Sequence, residues 1–417
     1  PALIDYEMER QPLVERFQEA ARESATYFEN VRRYSGFEPM QFAFNLLTRS
    51  GRITHLELEK RDPVFVRSVD GWFAAAATAE RGDHRAAAVR IAPPPLFATF
   101  RLRGVDLANR VAISPISEDD AEEGALGSAM VDRVRAAAAQ GVGLVLTEMI
   151  AVSAHARINP GTPGLYSESH AEAWRKVVDA AHSEGTAIAA VLGHAGPRGG
   201  TRRRREGVDR PLRGEGWPLL AASSHPFTPS SAVPHELTDE MGDVVEDFVT
   251  ATRFAADAGF DLIEVHSAQG YLLASFLSPL MNHRTDGFGG SLPNRLRYPL
   301  RVVDAVRAEW PSDRALSVAL LATDWARGGF DLDDAVAAAT ALRDHGCDVV
   351  RPLAGQTSVR AVPNYGRFHL VPASDRIRNE AGVATLVGGN LTTADEANTV
   401  LAAGRADLCQ LELAGDA

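Results

Sequence analysis

The sequence is poor in cysteine: Cys347 and Cys409 are its two, each in apolar surroundings and without CxxC spacing. That excludes a disulfide framework and a zinc site, and it suits a reducing, cytoplasmic compartment. No run of about 18 apolar residues exists, which argues against a membrane-spanning helix. The opening PALIDYEMERQPLVERF is charged and helical in pattern, unlike a signal peptide. Positive charge is in deficit too, with 43 Lys and Arg against 55 Asp and Glu and a net charge of −12. A general binder of nucleic acid or anionic membrane carries the opposite balance, which leaves a small molecule as the expected partner and self-association open. What the chain does have is globular material, 45% hydrophobic and 24% charged residues over 417 positions. That length fits one α/β barrel of about 250 residues plus an appendage. The chain opens at Pro1 and stops at Ala417 directly after a strand-like run, so both ends are expected to be cut from something longer.

Residues 1–75 read as an α+β segment. Apolar residues recur at helical spacing from Leu13 to Tyr34, and QFAFNLLTRSGRITHLEL follows as a helix running into a short strand. The segment is too small for a large core of its own. Residues 76–96 are Ala-rich and end in Pro93-Pro94-Pro95, the composition of a linker that stiffens where it meets the next unit. From 97 to 417 short apolar runs recur: VAISP (111–115), GLVLTE (143–148), AIAAVLGH (187–194), LIEVHS (262–267), ALSVAL (315–320), DVVRPL (348–353), ATLVGG (384–389) and ADLCQL (406–411). They are rich in Val, Ile and Leu and continuous instead of alternating, as buried parallel strands are. Helical stretches such as AEAWRKVVDAAHSEG and LDDAVAAATALRDHG separate them, each closed by Gly. This alternation, preceded by a hairpin FRLRGVDLANR, predicts an α/β fold, a (β/α)8 TIM barrel. The last helix would follow Ala417, and its absence is expected to leave apolar barrel surface bare.

In such a barrel the chemistry lies at the C-terminal ends of the strands. Strand 1 ends in Ser114-Pro115-Ile116-Ser117, strand 2 in Thr147-Glu148, strand 3 in Gly193-His194, strand 4 in His266 with Gln269 and Tyr271, and strand 7 in Gly388-Gly389-Asn390. Two histidines, an amide and a phenol on neighbouring strands can bind and protonate a carbonyl compound, since each donates a hydrogen bond to a developing oxyanion. Equally, His194 and His266 can be histidines satisfied within the core.

Strand 4 and its loop, HSAQGYLL (266–273) and on through FLSPLMNHRTDGFGGSLPNR, resemble the Old Yellow Enzyme family of FMN-dependent ene-reductases. LGHAG (192–196), LANRVAISP (107–115) and VGGN (387–390) agree, and the likeness runs from about 97 to 413. Residues 1–75, with FENVRRY and QFAFNLLTRSGRITHLELEKRDP, resemble the C-terminal tail of a class A FAD monooxygenase. The two together resemble the bifunctional 2-aminobenzoyl-CoA monooxygenase/reductase and salicylyl-CoA 5-hydroxylase group. The resemblance implies FMN across the barrel mouth. Ser114, Pro115, Ile116 and Ser117 would lie against its ring, Met149 and His194 beside it, and the backbone N–H groups of Gly388, Gly389 and Asn390 on its phosphate. It makes His266 and Gln269 the anchor of a substrate carbonyl and Tyr271 the proton donor. Electrons would come from NAD(P)H, FAD would belong to the monooxygenase portion, and the substrate would be an aromatic CoA thioester.

Three positions depart from the pattern. Val191 stands where the family has a Gln on the flavin pyrimidine, Ala319 where strand 5 carries an Arg near N1 and O2, and Glu412-Leu413 where a Gly-Arg pair meets the phosphate. Each lost charged hydrogen bond is worth roughly 1.5–3 kcal/mol, so losing about 5 kcal/mol from a nanomolar site leaves a dissociation constant of about ten micromolar. Three readings follow: a working FMN reductase, a barrel that has lost flavin and serves as a scaffold or acyl-CoA docking module, or one that keeps flavin for another task such as thioester-guided electron delivery. Arg202-Arg203-Arg204-Arg205 can bind the phosphates of CoA or of a nicotinamide nucleotide, or form a solvated basic loop. Asp119, Asp120, Glu122 and Glu123 read as a solvent-facing run and not as a metal site. Trp325 and Tyr365 can line an aromatic pocket or pack loops.

Overall fold

A computed structural model describes residues 2–80, 92–214 and 216–412. The N-terminal segment is helical: α1 Ala2–Glu29, α2 Pro39–Leu47, α3 His55–Arg61 and α4 Pro63–Glu80, with a 3-10 turn at Val31–Tyr34. This corrects the α+β expectation. The stretch HLEL forms the first turn of α3 and not a strand, because Thr54 caps that helix, its hydroxyl accepting from the Glu57 N–H. α4 runs through position 75, and residues 81–91 of the expected linker lie outside the described residues.

All of the apolar runs become strands: β1 Val111–Ile113, β2 Leu144–Ala151, β3 Ala187–Gly193, β4 Leu262–Ser267, β5 Ala315–Thr323, β6 Val349–Ala354, β7 Ala384–Val387 and β8 Leu408–Gln410. Each pairs in parallel with its successor, and β8 pairs with β1, closing the barrel. Closure leaves no sheet edge and buries both faces, the reason these strands read as unbroken apolar runs. The expected hairpin forms as Phe100–Leu102 against Val105–Leu107. Its Phe100, Leu102 and Leu107 cluster with Ala112, Leu144, Leu262, Val349 and Leu408, plugging the barrel at the end opposite the site.

Around the strands lie α5 Met130–Ala138, α6 Glu168–Ser183, α7 Met241–Ala258, the short α8 Leu272–Leu277, α9 Leu292–Glu309, α10 Leu332–Asp344, α11 Val371–Arg376 and α12 Ala394–Ala402. α12 starts at a complete capping box between Thr393 and Glu396. Against its far end the N-terminal helices build a shared core, in which Phe44, Leu58, Val66 and Val69 bury with Ala402 and Ala403. Asn45 donates to the Ala403 carbonyl at 2.6 Å, and the His55 N–H to the Thr399 hydroxyl at 2.8 Å. α4 reaches further and sets the Phe73 ring 4.7 Å from the Arg110 guanidinium at the foot of β1. Phe73 and Ala77 thereby bury with Leu96, Ala98 and Val111, a contribution of about 1.5–3 kcal/mol for the phenylalanine alone. No helix among the described residues is long and apolar enough to cross a membrane.

Candidate functional site

A cavity of about 330 Å³ opens at the C-terminal end of the barrel. Ser114, Pro115, Ile116 and Ser117 line it after β1, Thr147, Glu148 and Met149 on β2, Val191 on β3, and Arg351 on β6. His266 on β4 joins them, with Gln269 and Tyr271 from the following loop, and Arg198, Arg202 and Arg204 from the loop after β3. The structure thus gathers all three residues expected to handle the substrate and five of the nine expected at the flavin. His194 is not among the lining residues; it is 2% exposed, and its Nδ1 accepts the Gly196 N–H at 3.0 Å. Burial, helped by nearby His155, pushes its pKa down to about 3, so the imidazole is neutral. Gly388, Gly389 and Asn390 also lie outside this cavity.

The loop after β4 is the strained part of the site. Gln269 has φ of 56° and Gly270 of 70°, two successive left-handed residues. A Cβ at Gly270 would meet the Gln356 carbonyl oxygen at 2.4 Å, so the chain needs glycine there. At Gln269 the same conformation costs roughly 1–2 kcal/mol. Arg198 holds it: one nitrogen donates to the Gln269 carbonyl at 2.7 Å and to the Gln356 side chain at 2.9 Å, while the other grips Asp209 at 2.8 and 2.9 Å. Its guanidinium also stacks 5.5 Å from the Tyr271 ring and 4.5 Å from that of Phe227.

His266 Nδ1 accepts the Ala268 N–H at 3.4 Å, which places the ring proton on Nε2, 3.0 Å from Gln269 Oε1. Burial, then the positive charge of Arg351, push the His266 pKa down to about 3, so the imidazole is neutral at physiological pH. With its oxygen occupied by His266, Gln269 keeps its amide N–H groups for a ligand. Tyr271 packs with Met149 and Ala195, its ring 5.1 Å from that of His266 in an edge-on arrangement, and burial raises its pKa. The phenol therefore stays protonated.

Arg351 is the residue the sequence reading missed. Ala319, where a cation was expected, pairs in register with His266 on one side and Arg351 on the other. Position 319 remains an alanine, and an arginine stands one strand over with its charge paired to Glu264. Arg351 binds Glu264 at 2.5 Å and Gln410 at 3.4 Å; Glu264, fully buried, also accepts from Ser317 at 3.0 Å. The signal was legible: Glu264 within LIEVHS and Arg351 within VVRPL, single charges in runs otherwise fit for a barrel interior, must find a partner. Glu148, expected only as the end of strand 2, also joins the cavity. Ser117 donates to it at 2.5 Å, while burial pushes its pKa up to about 7.

The acidic run after β1 is solvent-facing only in part: Glu122 and Glu123 are exposed, whereas Asp119 and Asp120 turn inward. Asp119 is buried and accepts from the Arg204 N–H at 2.6 Å and from Asn159 at 3.0 Å. Asp120 binds Arg133 through two bonds of 2.8 and 3.0 Å, which lower its pKa, and Glu123 meets Arg157 at 3.0 Å. Arg203 donates to the Asp119 and Ala121 carbonyls at 2.6 and 3.0 Å. The basic and acidic loops clasp each other, which turns Arg202 and Arg204 toward the cavity. Trp325 and Tyr365 stack edge-on at 5.1 Å and do not line the cavity; they pack loops. No cluster of metal-ligating residues occurs among the described residues.

With this geometry in hand, comparison with known proteins is direct. Residues 95–412 match the NADH:flavin oxidoreductase / NADH oxidase family, and the chain belongs to it. An NADPH dehydrogenase of Geobacillus sp. is 34% identical over 319 residues, covering 75% of this chain and 88% of that protein. Morphinone reductase superposes with a TM-score of 0.64 at 26% identity, over 76% of this chain and 85% of its own. A 2-naphthoyl-CoA reductase in complex with 2-naphthoyl-CoA gives a TM-score of 0.69 at 23% identity, over 76% of this chain and 50% of its own, a likeness of fold. The protein is accordingly a flavin-dependent oxidoreductase of the Old Yellow Enzyme type, with FMN as its flavin and NAD(P)H as electron source. The flavin-free scaffold gives way as a reading.

The cavity fits the ring end of FMN, being of ligand size, lined by hydroxyls and apolar edges, and supplied with Arg351. At the expected phosphate end the Asn390 N–H already donates to Glu412 Oε1 at 3.3 Å. That carboxylate has to turn away before a phosphate can take the same N–H.

Proposed function

We propose that the barrel is an ene-reductase acting on an aromatic CoA thioester, the reductase half of a bifunctional aromatic acyl-CoA monooxygenase/reductase. The observation that carries it is the convergence of Tyr271, Gln269 and a neutral His266 on one cavity together with Ser114, Ser117 and Arg351. Bound FMN supplies hydride transfer, from NAD(P)H to the β-carbon of a carbonyl-activated double bond. Ser114, Pro115, Ile116, Ser117 and Met149 would hold its ring, and Gly388, Gly389 and Asn390 its phosphate. The Gln269 amide binds the substrate carbonyl, and His266 fixes that amide's rotation by donating to its oxygen. Tyr271 holds the proton for the α-carbon, so hydride and proton together saturate one double bond. Arg198 keeps the strained Gln269 backbone in place.

Arg202 and Arg204 stand at the cavity beside Asp119 and Asp209, and their guanidinium groups supply donors for an anionic co-substrate. Residues 1–75 would be the tail of the FAD-dependent portion, with α4 running on to Glu80 into the 76–96 stretch; the core shared between α2–α4 and α12 supports a close mechanical association of the two parts. The test is NADPH consumption by the FMN-loaded protein with an aromatic or α,β-unsaturated acyl-CoA. Stoichiometric formation of the reduced thioester is the expected result. Consumption with simple enones and none with any thioester would overturn the CoA part of the reading.

A further inference from the structure

A second cavity, of about 280 Å³, adjoins the first and takes no part in the chemistry above. Three segments form it: the stretch around Ser223 to Phe227, the stretch from Pro279 to His283, and the loop from Thr357 to Arg360. Its lining is rich in donors. His225 and His283 meet edge to face at 4.5 Å, Arg360 lines the same cavity, and Ser223 adds a hydroxyl, while the hydroxyls of Ser275 and Thr357 are committed to the Leu272 carbonyl and to Asp324. No aspartate or glutamate lines it among the described residues; the nearest carboxylate in the bonding network, Asp324, is buried behind Thr357 and takes hydrogen bonds from Ser278, Thr357 and the Phe330 N–H. A concave, donor-rich surface with a permanent cation and no carboxylate selects anions, and guanidinium geometry selects phosphate oxygens in particular.

The position of this cavity says what the anion belongs to. Tyr271 lines the first cavity and Ser275, one helical turn on, lines the second. Arg198 and Pro197 are divided in the same way, and Phe227 of the second cavity packs on the Arg198 guanidinium at 4.5 Å. One molecule can therefore occupy both, its reacting end at Tyr271 and its tail over the Arg198–Phe227 partition. We infer that the second cavity receives the phosphate groups of the nucleotide-bearing co-substrate, acyl-CoA or NAD(P)H, whose reactive end lies at Tyr271. This deepens the proposed function and rests on it for the choice of ligands.

Calorimetric titration of the full chain, FMN-loaded, with coenzyme A, NADP⁺, pyrophosphate and pantetheine tests the inference. The comparison is with the double variant His283→Ala/Arg360→Ala, whose side chains are exposed and whose loss leaves the fold intact. Pyrophosphate is expected to bind at least tenfold more weakly to the variant, while pantetheine, which lacks phosphate, is unchanged. Coenzyme A weakening alone assigns the tail to the thioester, and NADP⁺ weakening alone assigns it to the hydride donor; either supports the site. Unchanged affinity for all three phosphate ligands overturns it. Flavin content is read by absorbance in the same samples, and the pyrophosphate arm is repeated without FMN, so failure of the flavin site and failure of the second cavity are told apart.

Discussion

His266 and Gln269 are linked donor to acceptor at 3.0 Å, so the two side chains act in series on a ligand and not side by side. The imidazole proton is committed to the amide oxygen, and the amide nitrogen is the group left to meet a carbonyl. Removing the amide therefore removes the contact with substrate, whereas removing the imidazole lets the amide rotate. Gln269→Ala is expected to lower kcat/KM by about 10²-fold, the usual loss for one oxyanion donor. His266→Ala should act mainly through KM. Steady-state kinetics on one enone measures both, and an unchanged kcat/KM in Gln269→Ala contradicts the assignment.

Tyr271 is buried among Met149 and Ala195, where phenylalanine fits the same volume. Tyr271→Phe should fold normally and lose its proton-donating hydroxyl. Rapid mixing is expected to show flavin reduction by NADPH unchanged and reoxidation by enone slowed by about 10²–10⁴-fold. Equal slowing of both half-reactions would mean that the tyrosine positions the flavin instead.

Glu148 gives the fold a pH signature. Its folded-state pKa of about 7 lies above the ordinary 4.5, so the fold binds the extra proton; this group's contribution to stability falls as pH rises from about 4.5 to about 7 and is level above that. His194 and His266 run the other way, since values depressed from 6.5 to about 3 mean that their contribution is lost as pH falls through that range. Glu148→Gln removes only the first effect. Its Tm relative to wild type is expected to be higher at pH 8 than at pH 5, and a pH-independent difference in thermal scans would contradict the assignment.

The contact between Glu412 and the Asn390 N–H competes with a phosphate for the same donor. Glu412→Gln removes a negative charge from that end and is expected to tighten FMN by about tenfold, roughly one charged hydrogen bond. Fluorescence titration checks it; unchanged affinity would place the phosphate elsewhere.

The barrel was legible because closure buries both strand faces, so VVRPL or LIEV reads as strand even with a charge inside it. Strand ends were less so: β2 runs on to Ala151, past Thr147-Glu148, and β5 to Thr323, beyond the run expected to end at Leu320. His266, Gln269 and Tyr271 were readable as one motif because they sit within a single loop. Arg351 was not, since its relation to Ala319 is a register between neighbouring strands that no sequence spacing encodes. The same holds for Arg198, whose partners Gln269 and Gln356 lie far along the chain. The strand expected within RITHLEL fails for a local reason: Ile53 and Thr54 are its only β-branched residues, and Thr54 caps a helix.

The central claim is that the cavity between β1, β2, β4 and β6 holds FMN with Arg351 supplying the charge absent at Ala319. The most direct measurement is an FMN titration of the purified chain, followed by visible absorbance, with Arg351→Met alongside. One equivalent of FMN, bound with a dissociation constant below about ten micromolar and weakened by about tenfold or more in Arg351→Met, is the predicted result. No binding at about a hundred micromolar, or equal binding by both proteins, would contradict it.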